Sequence, residues 1–122
     1  MKQILIRATK TTPEISADND SGVFTIAGVS APENPQEFYA SVQQYFQNFI
    51  EHINAKARVR FNLLYFNSSS AKFLFFLMKQ MQGIEGLIVE WCYESGDSDL
   101  LESGEDYQKI TGLEFLFIEK PA

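Results

Sequence analysis

The sequence predicts an α/β domain in which helices pack on a mixed β-sheet. Short β-prone segments alternate with longer segments whose apolar residues recur at helical spacing, and strands separated by helices are typical of parallel pairing. The predicted order of elements is ββαβαβαβ. A chain of 122 residues is long enough to bury a core of its own, so we expect residues 1–122 to form one domain.

Two short strands are predicted before the first helix. Gln3–Arg7 alternates apolar and polar residues, and Val23–Ala27 is a second β-prone run. The segment ADNDSG (17–22) lies between them and is rich in turn-forming residues. The sequence therefore predicts that these two strands form a hairpin.

The first helix has a clear start signal in the segment SAPENPQEF (30–38). Asn34 is suited to the N-cap, Pro35 to the first helical position, and Glu37 to the third position of a capping box. From Phe38 to Ile53 the apolar residues recur at helical spacing while glutamines and a glutamate fall between them. This pattern predicts a long amphipathic helix packed on the sheet.

The segment YFNSSSAK (65–72) joins the next strand to the next helix. Ala57–Phe66 alternates apolar and polar residues, which predicts a strand with Tyr65 among the residues facing the core. Helical spacing then predicts a helix over Ser69–Gln82 that ends before Gly83. A single hydroxyl is enough to cap such a helix, and Ser68 is a candidate for that cap. The other hydroxyls therefore need another explanation.

Two further strands are predicted over Gly86–Tyr93 and Gly112–Ile118, which are apolar or alternating. Between them, SGDSDLLESGEDYQKI reads as a short acidic helical segment, which we expect to be interrupted at Gly104 because glycine weakens a helix interior. The last two predicted strands are thus connected by an acidic helical segment.

Composition and charge exclude several classes of function. Sixteen acidic against ten basic residues give a net charge of −6, and the scattered lysines and arginines form no stripe that would neutralise nucleic-acid phosphates. Cys92 is the only cysteine, which fits a reducing compartment. No apolar run approaches the roughly 18 residues that span a bilayer. We therefore expect a cytoplasmic protein that binds neither nucleic acid nor membranes.

Enzymatic patterns are also missing from the sequence. A nucleophile elbow needs glycines two residues either side of its serine, and none flank Ser68, Ser69 or Ser70. His52 is the single histidine and lies on the predicted first helix. Asp97 and Asp99 have calcium-loop spacing, but the following ligand positions do not fit. We accordingly predict no catalytic activity, no metal and no cofactor.

The remaining chemistry is modification of the serines themselves. Phosphorylation adds about −1.5 to −2 charges, and a helix N-terminus tolerates an anion well. On the following helix, Phe75 and Phe76 fall outside the apolar stripe and flank the side that carries Lys72 and Lys79. Either another part of the fold buries these phenylalanines, or the four residues form a partner-binding surface beside the serines.

The sequence also resembles the SiaC family of small bacterial signalling proteins and, more distantly, STAS-domain anti-anti-sigma factors. The resemblance covers nearly the whole chain and is carried, in order, by TTPEI (11–15), APENPQEFY (31–39), YFNSSSAK (65–72), VEWCYE (89–94) and GEDY (104–107). It implies a STAS-like domain without catalytic activity that takes part in partner switching and biofilm regulation.

The same resemblance implies that Ser68 is phosphorylated by a partner serine/threonine kinase of the anti-sigma type, with Asn67, Ser69 and Ser70 as its neighbours. It further implies a PP2C-type phosphatase and a target bound by the unphosphorylated form, such as a diguanylate cyclase, which makes cyclic di-GMP. Two other functions stay open: an anti-anti-sigma-type antagonist, and a small ligand-binding or catalytic domain that uses the acidic segment Glu94–Asp106.

Overall fold

The structure is a computed structural model that describes residues 1–122, with six strands and three helices. In chain order the elements are β1 (Lys2–Ile6), β2 (Glu14–Asp18), β3 (Val23–Ser30), α1 (Pro35–His52), β4 (Arg58–Phe66), α2 (Ser68–Met81), β5 (Ile88–Glu94), α3 (Ser98–Thr111) and β6 (Glu114–Lys120).

All six strands belong to one sheet, and their order in space is their order along the chain. β1, β2 and β3 pair antiparallel, whereas β3, β4, β5 and β6 pair parallel. Each parallel neighbour is reached through one helix, because parallel strands cannot be joined by a tight turn. The predicted α/β class with a mixed sheet is confirmed.

The N-terminal part differs from the prediction by one strand. The turn at ADNDSG does close a hairpin, but its strands are β2 and β3, with Asp18 opposite Val23. β1 pairs with β2 at the edge of the sheet instead of with β3. The sequence of β2, EISAD, is short and carries charges at both ends, so its alternation is too brief to distinguish it from a loop.

The three helices lie side by side on one face of the sheet. The Gln80 side chain on α2 donates to the backbone of Gln43 on α1, and the Tyr107 hydroxyl on α3 donates to the Ala71 carbonyl of α2 at 2.7 Å. α1 begins as predicted, with Asn34 accepting a hydrogen bond from the Glu37 amide. None of the three is long and apolar enough to cross a membrane.

One cluster of buried side chains fills the space between helices and sheet and includes residues from every helix. The opposite face of the sheet carries no helix. At its centre Glu90 is buried, and its carboxylate is satisfied by hydrogen bonds from Arg58 at 2.7 Å and Arg60 at 2.8 Å. The fold therefore presents two different surfaces, a helical one and an open one lined by strand residues.

α3 corrects the prediction of a break at Gly104, since it runs unbroken through that residue. Gly104 is buried against the indole of Trp91, and a β-carbon there would lie 2.5 Å from Trp91 Cδ1. The glycine thus allows the helix to approach the sheet closely.

Candidate phosphorylation site

The junction between β4 and α2 is built around Asn67, which caps the helix. Its side-chain Oδ1 accepts a hydrogen bond from the Ser70 amide at 2.9 Å, and its backbone carbonyl accepts one from the Ala71 amide at 3.0 Å. The Asn67 amide donates to the Ser30 carbonyl on β3 at 3.1 Å. The capping group is therefore the side-chain oxygen of Asn67 rather than a serine hydroxyl. The helix starts at Ser68, one residue earlier than predicted.

The three serines occupy the first, second and third positions of α2 but differ in exposure. Ser68 and Ser69 are exposed, whereas Ser70 has no accessible surface. Ser68 thus lies where the sequence placed it, at the strand-to-helix junction and open to solvent. Only two of the three hydroxyls can be reached by another protein.

Ser70 belongs to a chain of buried hydroxyl groups that joins α2 to β3 and α1. The Ser70 hydroxyl donates to the Ser30 carbonyl at 2.9 Å, and the Ser30 hydroxyl donates to Ser70 Oγ at 2.9 Å. The Tyr39 hydroxyl is hydrogen-bonded to Ser30 Oγ. Burial raises the pKa of Tyr39 and outweighs the opposing hydrogen bonds, so its phenol keeps its proton.

Ser30 also links the serine junction to the N-terminal loop. The next residue, Ala31, donates its amide to the Thr11 carbonyl at 2.7 Å. The segments TTPEI, APENPQEFY and YFNSSSAK, which are far apart in sequence, therefore meet at one end of the sheet. Sequence reasoning singled out these segments together but did not find the roles of Ser30 and Tyr39. The tyrosine that ends APENPQEFY, Tyr39, is the sequence feature that could have indicated this buried hydroxyl chain.

The outward side of α2 carries part of the predicted partner surface. Lys72, Phe76 and Lys79 are exposed, and all three lie on the same side of the helix as Ser68, since residues four, eight and eleven positions apart share a helical face. Phe76 is 44% exposed. Phe75 differs, because it is partly buried and packs against the core cluster. The helical ridge is therefore Ser68, Lys72, Phe76 and Lys79.

A second apolar area lies at the end of β4, where the alternation breaks. Leu64 and Tyr65 are consecutive and are 59% and 55% exposed, whereas Tyr65 was predicted to face the core. The pairing of β4 with β5 stops at Phe61, and that of β3 with β4 is irregular at Gly28 and Val29. Leu64 is the extra residue at this register shift, so the alternation moves by one position and Tyr65 faces outward while Phe66 faces inward.

The acidic segment from Glu94 to Asp106 forms the start and the outer side of α3. Asp97 is its N-cap and accepts a hydrogen bond from the Leu100 amide at 3.0 Å. No group of three histidine, cysteine or acidic side chains is placed to hold a metal ion. The acidic residues thus form a solvated helix face with one capping role.

The single histidine lies far from the serines. His52 ends α1, before β4 begins, whereas Ser68 follows the end of β4. The nine residues of β4 span about 25 to 30 Å, so the two side chains are at opposite ends of the sheet. The His52 ring is hydrogen-bonded to the Asn48 carbonyl at 2.7 Å. A histidine-activated serine is therefore excluded here.

Comparison with known proteins gives a family and a fold. The model of the family described as SiaC family regulatory phosphoprotein matches residues 6–120. A protein of Pseudomonas aeruginosa strain UCBPP-PA14 is 27% identical over 119 residues, which is 94% of each chain.

Solved structures from Pseudomonas aeruginosa share the fold. A chain in the crystal structure of the diguanylate cyclase SiaD in complex with its activator SiaC is 24% identical, with a TM-score of 0.83 over 94% of this chain and 98% of the other. The crystal structure of apo-SiaC is 24% identical, with a TM-score of 0.76 over 97% and 98% of the two chains.

Proposed function

Because this chain belongs to the SiaC family of regulatory phosphoproteins, we propose that it is a non-enzymatic signalling domain that is reversibly phosphorylated on Ser68. A partner kinase adds the phosphate and a PP2C-type phosphatase removes it. The unphosphorylated form binds and regulates a target protein. The observation that carries this proposal is the exposed Ser68 at the start of α2, on the same helical ridge as Lys72, Phe76 and Lys79.

Exposure and orientation favour Ser68 among the three serines. Ser70 is buried and its hydroxyl proton is used in a hydrogen bond. A phosphate there would place about two negative charges in the core, at a cost of several kcal/mol. Ser69 is exposed but points about 100° away from Ser68 around the helix axis. Ser68 alone shares the ridge with Lys72 and Phe76.

The target that we propose is a diguanylate cyclase or a related output protein. SiaC of Pseudomonas aeruginosa was crystallised with the diguanylate cyclase SiaD, which it activates. The present chain has the same fold over nearly its whole length. This likeness supports a target of the same kind. The proposed contact on this chain consists of Lys72, Phe76 and Lys79. The partly buried ring of Phe75 packs against the ring of Phe76.

Phosphorylation is proposed to weaken this contact. A dianion beside Phe76 must be desolvated when an apolar partner surface closes over it. A cost of about 2–3 kcal/mol lowers affinity roughly 30- to 150-fold. Aspartate carries one charge and fewer acceptor oxygens, so Ser68→Asp should weaken binding less than phosphate does.

The modification is tested by mass spectrometry of the protein isolated from its native host. Trypsin releases the segment from Phe61 to Lys72 as one peptide, FNLLYFNSSSAK, which holds all three serines. We expect a phosphate on this peptide, at Ser68. A peptide that stays unmodified in growing and starved cells would contradict the proposal.

Binding is tested with a target identified by pull-down from a host lysate. Ser68→Ala and Ser68→Asp serve as paired baits, and Ser69→Ala is the matched control because it removes an exposed hydroxyl outside the ridge. The recovered protein is then titrated with unmodified and phosphorylated protein. Equal affinities, or tighter binding of the phosphoprotein, would overturn the proposed direction.

The contact surface is tested by comparing Phe76→Ala with Phe75→Ala. Phe76 is the more exposed, so its removal should weaken binding with little change in thermal stability. Phe75 packs on the core, so its removal should also lower the melting temperature. If Phe76→Ala binds the target as tightly as the wild type, the ridge is not the contact surface.

A further inference from the structure

The three serines of the junction have the same side chain, so any difference in their modification must come from their surroundings. Ser70 lies on the buried face of α2, and its hydroxyl is hydrogen-bonded to Ser30 and, through it, to Tyr39. These residues lie on α2, β3 and α1, and Ser30 and Ser70 are 40 positions apart.

The direction of each hydrogen bond follows from counting protons. The Ser70 hydroxyl donates to the Ser30 carbonyl, and the Ser30 hydroxyl donates to Ser70 Oγ. Each serine hydroxyl has a single proton, so the remaining bond must be donated by Tyr39 to Ser30 Oγ. The chain of donors runs from Tyr39 to Ser30 to Ser70 and ends at the Ser30 carbonyl, and every proton in it is used.

The Ser30 carbonyl is the fixed point of this arrangement. It accepts from the Ser70 hydroxyl at 2.9 Å and from the Asn67 amide at 3.1 Å. Asn67 in turn accepts from the Ser70 amide and so closes a loop. The N-cap and the third residue of α2 are therefore held to the same backbone atom of β3, which fixes the rotation of the helix about its axis.

We propose that Ser70, Ser30 and Tyr39 form a positioning cluster that fixes the first turn of α2 and thereby selects Ser68 as the serine that is modified. This inference rests on the proposed function, because it concerns how that same site is presented. Ser68 and Ser69 differ in direction by about 100°. A kinase that docks on the ridge of Lys72, Phe76 and Lys79 meets Ser68 only while that rotation is held.

The cluster predicts a graded series of variants. Ser70→Ala leaves the Ser30 hydroxyl a buried donor without its acceptor and removes one of the two bonds to the Ser30 carbonyl. Tyr39→Phe keeps the ring that stacks on Phe73 and removes only the first donor of the chain. The effect of Ser70→Ala should therefore exceed that of Tyr39→Phe, and Ser69→Ala should have none.

The first measurement is amide hydrogen exchange on the full-length protein. Ser70→Ala should lower the protection of the Asn67 and Ala71 amides at least about fivefold more than that of Leu77 and Met78, later in the same helix. A purely structural role would lower protection equally along α2. Equal losses, or none, would overturn the proposal.

The second measurement is the share of phosphate on each serine. The wild type, Ser70→Ala and Tyr39→Phe are each incubated with a lysate of the native host and ATP, and the peptide from Phe61 to Lys72 is sequenced by tandem mass spectrometry. We expect the ratio of Ser68 to Ser69 phosphate to fall several-fold in Ser70→Ala and less in Tyr39→Phe. An unchanged ratio in a folded variant would overturn the proposal, even if exchange is faster.

These outcomes separate the two proposals. If the wild-type peptide acquires no phosphate, the proposed function fails, whereas a local loss of protection would still support the positioning of the first turn. If Ser70→Ala does not fold, Tyr39→Phe replaces it in both measurements. A Tyr39→Phe protein with wild-type protection and a wild-type phosphate ratio would then refute the cluster.

Discussion

α3 lies against Trp91 of the sheet at Gly104, and Gly104→Ala tests how much the fold depends on this close contact. The new β-carbon would lie 2.5 Å from Trp91 Cδ1 and 2.6 Å from Trp91 Nε1. Ordinary contacts begin near 3.4 Å, so the indole or the helix must move by about 0.9 Å. The clash involves a rigid ring rather than the end of a flexible side chain.

The surroundings of Trp91 leave little room for this movement. The indole is 1% exposed, packs against Phe61 and Tyr107, and donates a hydrogen bond to the Leu100 carbonyl at 2.9 Å. Overpacking of this kind costs about 1–3 kcal/mol, and a weakened hydrogen bond about 0.5–1.5 kcal/mol more. The higher helix propensity of alanine returns about 1 kcal/mol. We therefore expect a net loss of about 0.5–3.5 kcal/mol.

Urea denaturation of wild type and Gly104→Ala measures this difference, and the fluorescence of Trp91, the only tryptophan, reports on the ring itself. Glu105→Ala is the matched control, because it changes an exposed neighbour with similar helix propensity. A more stable Gly104→Ala protein would refute the reasoning. Propensity alone predicts that gain, so the sign of the change is decisive.

Three further results are expected. Ser68→Ala should change the free energy of unfolding by less than about 0.5 kcal/mol, whereas Asn67→Ala should cost about 0.5–2 kcal/mol, as urea denaturation would show; equal losses would mean that Ser68 shares the cap. Phosphorylation of Ser68 should raise stability by about 0.3–1 kcal/mol at low salt, and less in Lys72→Gln, because the anion meets the helix N-terminus and a lysine one turn away; calorimetry showing a loss would contradict this. Burial opposes ionisation of Glu90, but hydrogen bonds from Arg58 and Arg60 outweigh it and lower the pKa of this carboxyl below its ordinary value. That stabilisation is present above the ordinary pKa and is lost as pH falls through the folded-state pKa, so Glu90→Gln should be destabilised near pH 7, with the difference shrinking as the pH is lowered below the ordinary carboxyl pKa; a constant difference would exclude this linkage.

The sequence alone determined the features that depend on short-range chemistry. The cap at Asn34 could be read because an N-cap acts within three residues, and the long apolar stripe that follows fixed α1. The serine junction was located in the same way, since β and helical periodicities meet there. Even so, the cap was assigned to a serine hydroxyl, because asparagine and serine are almost equally good caps.

The tertiary structure decided everything that depends on contacts between distant segments. Helical spacing places Ser70 on the same face as Leu74 and Met78, but only the structure shows that its buried hydroxyl donates to the Ser30 carbonyl, 40 residues away. Gly104 looks like a helix breaker until the indole of Trp91 is placed against it. Periodicity predicted that Tyr65 would face inward, but the register shift between β3 and β4, which leaves Leu64 as an extra residue, turned it outward. Local propensity is carried by a few residues in sequence, whereas the burial of an individual side chain is set by whichever distant segment packs on it.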